Sequence, residues 1–174
     1  MNKKRKDNKP FVAVLMGSDS DLPIMQETRN ILDKFGIGVE VRVTSAHRTP
    51  AATHEYVKDA DKRGCGVFIA AAGLAAHLAG TVAGLTVKPV IGVPMEAGPL
   101  KGLDALLSTV QMPGGIPVAA MAIGKAGARN AAYLAAQILA RQDPALERRL
   151  KKDRTDNARA ILKKNDFPGS KLKK

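Results

Sequence analysis

The 174-residue sequence predicts an α/β fold: a three-layer α/β/α sandwich around a parallel sheet of five strands, with one more helix at the C-terminus. Three observations predict it. Short apolar runs rich in β-formers alternate five times with segments whose apolar residues recur at helical spacing. Glycine or proline stands at most of the boundaries between them. Polar residues capable of chemistry gather just after the apolar runs, where open α/β sheets bind their ligands.

Phe11–Met16 is an apolar run closed by Gly17 and reads as a buried first strand. Asp21-Leu22-Pro23 reads as a helix start, with Asp21 near the N-cap and Pro23 in the first turn. Ile24, Thr28, Ile31, Leu32 and Phe35 then keep helical spacing until Gly36. Val39–Val43 is strand two. Thr49-Pro50 opens a helix that runs to about Arg63, with Gly64 behind it. Gly66–Ala72 is strand three, and the small-residue segment Gly73–Leu85 carries a helix. Pro89–Val93 is strand four, Leu100–Val110 a helix, Val118–Ile123 strand five. Ala126–Ala140 is an alanine-rich helix, and 144–164 a charged one. Strand–helix alternation implies parallel pairing with right-handed crossovers, and the simplest layout is flavodoxin-like or Rossmann-like. Residues 11–165 read as one domain, flanked by basic tails at 1–10 and 166–174.

Composition narrows the function. A single cysteine, Cys65, excludes an internal disulfide and leaves a cytoplasmic location as the default. Its place at a strand start suits an inert thiol. No run is long and apolar enough for a membrane span. The net charge of +12 is confined to the ends, where residues 1–10 and 141–174 hold +11 of it. Basic ends bind polyanions without sequence preference or are simply solvated. Aromatic residues make up only 3%, which argues against base-stacking and specific nucleic-acid recognition. No clustered metal-ligand spacing, G-x-G-x-x-G, Walker lysine or G-x-S-x-G elbow occurs, so no metal or organic cofactor is expected.

Four strand-end loops hold the candidate chemistry: Gly17–Asp21, Ser45–Pro50, Gly73–Leu78 and Pro94–Pro99. The first suits a sugar or anion cradle, with hydroxyls on Ser18 and Ser20, helix amides nearby and Asp21 for ribose hydroxyls. The alternative is a plain N-cap worth about 1 kcal/mol. In the second, Arg48 offers a phosphate fork and His47 a proton carrier near neutral pH. The alternative is a loop histidine bonded to backbone. His77 sits among small residues, as a ligand group or as a helix-start or core histidine. His54 lies within a helix beside Glu55 and reads as a surface residue.

Several motifs together resemble one family. Val14-Leu15-Met16-Gly17-Ser18-Asp19-Ser20-Asp21, Ser45-Ala46-His47-Arg48-Thr49-Pro50, Ala75-Ala76-His77-Leu78, Val90-Ile91-Gly92-Val93-Pro94 and Val110–Val118 stand in the order and spacing of the phosphoribosylaminoimidazole carboxylase catalytic subunit family, over about residues 11–145. The resemblance implies a three-layer α/β subunit in a homo-octamer. It also implies transfer of a carboxylate from nitrogen to ring carbon 4 of a 5-carboxyaminoimidazole ribonucleotide, without cofactor. It makes His47 the catalytic acid/base. It makes Ser18, Asp21, Ser45, Ala46 and Arg48 substrate-binding, with Arg48 and Ser45 near the phosphate and Asp21 near the ribose. Gly73, Leu74, Ala75, His77 and Leu78 would close around the migrating carboxylate. Arg48 and the Ala-Ala-His-Leu run resemble the bacterial mutase branch rather than the branch that uses free carbon dioxide. Two positions depart from the branch pattern: Leu74 replaces a second glycine and Ala79 a proline.

Two non-enzymatic readings compete. Asp19 and Asp21 superficially resemble the acidic pocket of a signalling receiver, but Ala72-Gly73 stand where a receiver needs aspartate. The basic ends would suit a polyanion binder.

Overall fold

The computed structural model describes residues 10–165, so the basic tails, apart from Pro10, lie outside the described residues. Five strands alternate with helices: β1 (Phe11–Met16), α1 (Leu22–Lys34), β2 (Val39–Val43), α2 (Pro50–Lys62), β3 (Cys65–Ala72), α3 (Leu78–Ala83), β4 (Val90–Pro94), α4 (Leu103–Val110), β5 (Ala119–Ala120), α5 (Gly124–Ala140) and α6 (Pro144–Lys163). The strands are all parallel, in the order β2-β1-β3-β4-β5, which is the flavodoxin-like arrangement.

The period of the strands divides the core into two. On β1, Val12, Val14 and Met16 face one layer, with Met25 and Leu32 of α1, Phe35 just behind that helix, and the alanines of α5. Ala13 and Leu15 face the other, with Val57 and Ala60 of α2 and Leu78 and Val82 of α3. A strand covered on both faces has no polar position, which is why β1 reads as an unbroken apolar run. Each large side chain fully buried here contributes roughly 1.5–3 kcal/mol. Ala128, Ala131, Ala132, Ala135 and Ala136 are all fully buried. Their small size brings α5 close enough to α1 for the Thr28 hydroxyl to donate to the carbonyl of Ala128 at 2.7 Å.

The C-terminal helix is anchored at its start. Asp143 accepts the amides of Ala145 and Leu146 at 2.9 and 3.0 Å, a full N-cap, and Leu146 is buried. Two turns after Leu146 the buried Asp153 accepts hydrogen bonds from Lys34, from the Tyr133 hydroxyl at 2.9 Å and from Asn157 at 3.0 Å. Burial pushes this carboxyl up, but the hydrogen bonds from Lys34 and Tyr133 outweigh it and hold Asp153 below the usual carboxylate range.

Three expected elements are shorter than predicted. The helix expected over Gly73–Leu85 begins only at Leu78, because 73–77 form an irregular loop in which Leu74 has φ 54°. The helix expected from Leu100 begins at Leu103, since Lys101 and Gly102 are both left-handed. Strand five pairs only at Ala119 and Ala120 instead of over Val118–Ile123. The chain then turns onto α5, where a Cβ on Gly127 would lie 1.7 Å from the carbonyl oxygen of Ala122. That close approach pulls 122 away from β4.

Candidate functional site

Crossovers leave β1 and β3 in opposite directions, and the cleft that results at their carboxyl ends is where a doubly wound sheet takes ligands. The cleft holds about 500 Å³. Its walls are the loops after β1, β2 and β3. Every residue predicted for the site stands on them: Ser18, Asp21, Ser45, Ala46, His47, Arg48, Gly73, Leu74, Ala75, His77 and Leu78. Gly17, Ser20 and Ala72 complete the lining. The fourth strand-end loop, 94–99, lies outside it. A similar hollow of about 560 Å³ between α5 and α6 is lined by mixed charges and holds no histidine. The convergence of polar loops favours the sheet-edge cleft.

Backbone hydrogen bonds continue the sheet into the loops and fix their roots. Gly17 N–H donates to Ala71 O at 2.9 Å, and Thr44 N–H to Met16 O at 2.8 Å. In the first loop the Ser18 hydroxyl accepts from Ser20 N–H at 3.2 Å and from the Ser20 hydroxyl at 2.8 Å, closing a 3₁₀ turn over Asp19–Asp21. Asp21 occupies the N-cap position of α1 but its side chain makes no capping bond. The cap role expected as the alternative is therefore not what holds it. Burial pushes its carboxyl above the usual range, the amide of Ser18 partly offsets this, and the charge of Asp19 adds to the rise.

The second loop is built around three threonines, of which Thr49 stood out in the sequence only as a helix start and Thr44 and Thr53 not at all. Buried Thr44 and Thr53 meet hydroxyl to hydroxyl at 2.7 Å, and Thr44 and Thr49 at 3.3 Å. Thr49 takes the amide of Ser45 at 2.9 Å and returns its proton to the Ser45 carbonyl at 3.2 Å. The Ser45 hydroxyl accepts from Arg48 N–H at 3.1 Å. Thr49 and Thr53 are four apart at the start of a helix, with Thr44 at a strand end. That spacing was visible in the sequence, but only the fold shows that the three meet.

These supports present His47 and Arg48 to the cleft. Arg48 Nη2 donates to the carbonyl of Gly17 at 3.2 Å, spanning the first and second loops and leaving other guanidinium donors for an anion. His47 Nε2 lies 2.8 Å from His77 Nδ1, with the rings edge to face at 82°. The backbone-bonded alternative for His47 and the core alternative for His77 fall here, while His77 does stand at a helix start. His47 bonds another imidazole rather than backbone, and His77, although at the N-cap of α3, makes no side-chain cap and is exposed. One proton bridges two imidazoles, so one is donor and the other acceptor. His54 is exposed on α2, as expected. Cys65 is buried, and burial pushes its thiol up to about 11, the reverse of a reactive thiolate.

Known proteins share this sequence and this fold. The AIR carboxylase family model matches residues 11–160. The N5-carboxyaminoimidazole ribonucleotide mutase of Pyrococcus horikoshii is 52% identical over 159 residues, covering 91% of this chain and 89% of that protein. The Bacillus subtilis mutase is 50% identical over 157 residues, covering 90% and 97%. The crystal structure of Treponema denticola PurE superposes with a TM-score of 0.83 at 31% identity, covering 95% of this chain and 99% of that one. With the family model spanning residues 11–160 and relatives half identical over nine tenths of its length, the chain belongs to the AIR carboxylase family.

Proposed function

We propose that the cleft moves the N-carboxylate of 5-carboxyaminoimidazole ribonucleotide to ring carbon 4, giving 4-carboxy-5-aminoimidazole ribonucleotide in purine biosynthesis. The observation that carries this is the meeting of His47, Arg48 and Asp21 in one cleft, in a chain half identical to several mutases over nine tenths of its length. The guanidinium of Arg48 grips the phosphate, and the free proton of the Ser45 hydroxyl adds a donor. Asp21 takes the ribose hydroxyls. The base then lies against His47.

The reaction needs no more than proton movement and enclosure. The carbamate N–C bond breaks and its electron pair stays on the exocyclic nitrogen, conjugated with carbon 4. Carbon 4 attacks the freed carbon dioxide. The proton on carbon 4 passes to neutral His47, which returns one to the nitrogen. His77 positions that imidazole and fixes which of its nitrogens faces the base. Proton transfer of this kind contributes about 10²–10⁴-fold, and holding carbon dioxide against the ring adds a proximity effect that can be larger. The small residues of 73–77 keep water out and leave backbone amides facing the carboxylate.

An assay with each substrate, with and without bicarbonate, tests the reaction. We expect the N-carboxylated nucleotide to be consumed without bicarbonate. Equal turnover of aminoimidazole ribonucleotide plus bicarbonate would mean that free carbon dioxide is the true co-substrate.

The active form is a homo-octamer in the cytoplasm. Self-association is supported by the outer face of α4, where Leu103, Leu107 and Val110 recur at helical spacing and stand about half exposed. Light scattering of the purified chain checks it, and a monomer at micromolar concentration would overturn it. Among the described residues no helix is long and apolar enough to cross a membrane.

A further inference from the structure

The hollow between α5 and α6 holds about 560 Å³, more than the cleft, and takes no part in the mechanism. Two rows at helical spacing line it: Tyr133, Gln137 and Ala140 on α5, and Glu147, Leu150 and Arg154 on α6. Ala140 is buried, and Tyr133 and Leu150 pack partly buried against the core, so the floor is apolar. Both carboxylates on the wall already have partners. Glu147 pairs with Lys151 at 2.6 Å, and Asp153 accepts from Lys34, Tyr133 and Asn157. The remaining cations of the lining, Arg141 and Arg154, make no hydrogen bond or ion pair among the described residues, and Arg141 lies only in the field of Glu147. Each guanidinium offers five N–H donors in a planar fork that suits a phosphate. Asn157 donates its Nδ2 to Asp153 and keeps its carbonyl oxygen as an acceptor.

The rim suits a small anion better than a protein surface. The apolar side chains of α6 that call for a partner stand further along, at Ile161 and Leu162, 60% and 65% exposed. Covering two uncompensated guanidiniums with apolar surface would take them from water without replacing its hydrogen bonds. A phosphate replaces them. Inorganic phosphate would use the guanidiniums alone and leave the apolar floor empty, whereas a phosphate attached to a flat body uses both.

We propose that this hollow is a second ligand site for a nucleoside monophosphate. Arg141 and Arg154 hold the phosphate, the base meets Leu150 and the Tyr133 ring, and Gln137 and Asn157 face its polar edge. The volume lies within the range usual for small-molecule sites. The proposal stands apart from the carboxylate-transfer reading.

Isothermal titration with adenosine 5′-monophosphate tests it in the full-length Arg48→Ala chain, whose cleft has lost its phosphate grip. One saturable site per chain is expected. Adding Arg141→Ala or Arg154→Ala to that background should weaken binding about tenfold each, through loss of a charge-assisted fork, and both together should abolish it. Adenosine should not bind, and inorganic phosphate should bind about tenfold more weakly than the nucleotide for want of the apolar contact. In an otherwise wild-type chain, Arg141→Ala with Arg154→Ala should leave kcat and KM of the cleft unchanged, which also shows that the variant folds. No saturable binding at millimolar nucleotide, as when a neighbouring subunit fills the hollow, would overturn the site. Binding that survives both alanine substitutions would overturn it as well, by placing the nucleotide elsewhere. Inorganic phosphate binding as tightly as the nucleotide would overturn the nucleoside assignment.

Discussion

The two walls of the cleft are built in opposite ways. The wall carrying Ser45–Thr49 is a hydrogen-bonded block, in which three threonines, a serine hydroxyl and the backbone satisfy one another beneath His47 and Arg48. The wall carrying Gly73–Leu78 has almost no side-chain hydrogen bonds: His77 reaches across to His47, and the rest is held by packing against Ala97 and Gly98 and by a leucine in a left-handed turn. Directional bonds hold a group at a set angle, whereas small residues and packing allow two loops to part and close. The contrast matches the tasks assigned: one wall aims the proton carrier and the phosphate grip, and the other contains what is released.

The comparison breaks first at His47. His47→Asn should cut kcat on the order of 10²–10⁴-fold with KM little changed, since proton movement is lost but the cradle is not. Turnover within tenfold of wild type would assign the proton to another group, and His77 would be the first to examine. Arg48→Ala should act on binding instead. A rise in KM of about 10- to 100-fold, larger than any change in kcat, is expected from a lost charge-assisted phosphate contact. An unchanged KM would move the phosphate elsewhere.

A site remote from both walls supplies the control. Asp153→Ala on α6 should lower stability by about 1–3 kcal/mol in chemical denaturation, by removing the acceptor for Lys34, Tyr133 and Asn157, with KM unaffected. The folded carboxyl titrates below its unfolded value, so its contribution is fully present above about pH 4. It is lost as acid takes the pH down through the folded value. The gap between wild type and variant should therefore close in acid, and a gap independent of pH would deny the ion pair its role. The smallest effect is expected at Thr53→Val. This nearly isosteric change leaves the buried Thr44 hydroxyl with only its 3.3 Å contact to Thr49. About 1–2 kcal/mol of stability should go, with a modest fall in kcat that Thr53→Ser restores. If Thr53→Val lowers kcat no more than Asp153→Ala does, the threonines support the fold and do not aim the loop.

Much of this was legible in the residues. The five apolar runs and the glycines behind them locate the strands, and the polar loops follow from where those strands end. The elements that were misjudged share a cause. Gly73–Leu85, Leu100–Val110 and Val118–Ile123 all have helix- or strand-compatible composition. Each is shortened where the backbone departs from regular geometry: at Leu74, left-handed with its side chain against Gly98, at the left-handed pair Lys101–Gly102, and at the approach of Ala122 to Gly127. Propensity sums over neighbours in the chain and carries no information about a distant backbone pressing on one residue.

The layered fold and the polar loops at the strand ends can be read along the chain, because hydrophobic period and punctuation are local properties; that three of the four loops line the cleft and 94–99 does not is a result of the fold. Only the tertiary structure decided that His47 and His77, thirty positions apart, share a proton, and that Arg48 spans to Gly17. It alone decided that Leu74 seats on Gly98. Contacts of this kind depend on crossover geometry and strand order, which place remote loops within a few ångströms of one another and leave no periodic trace along the chain.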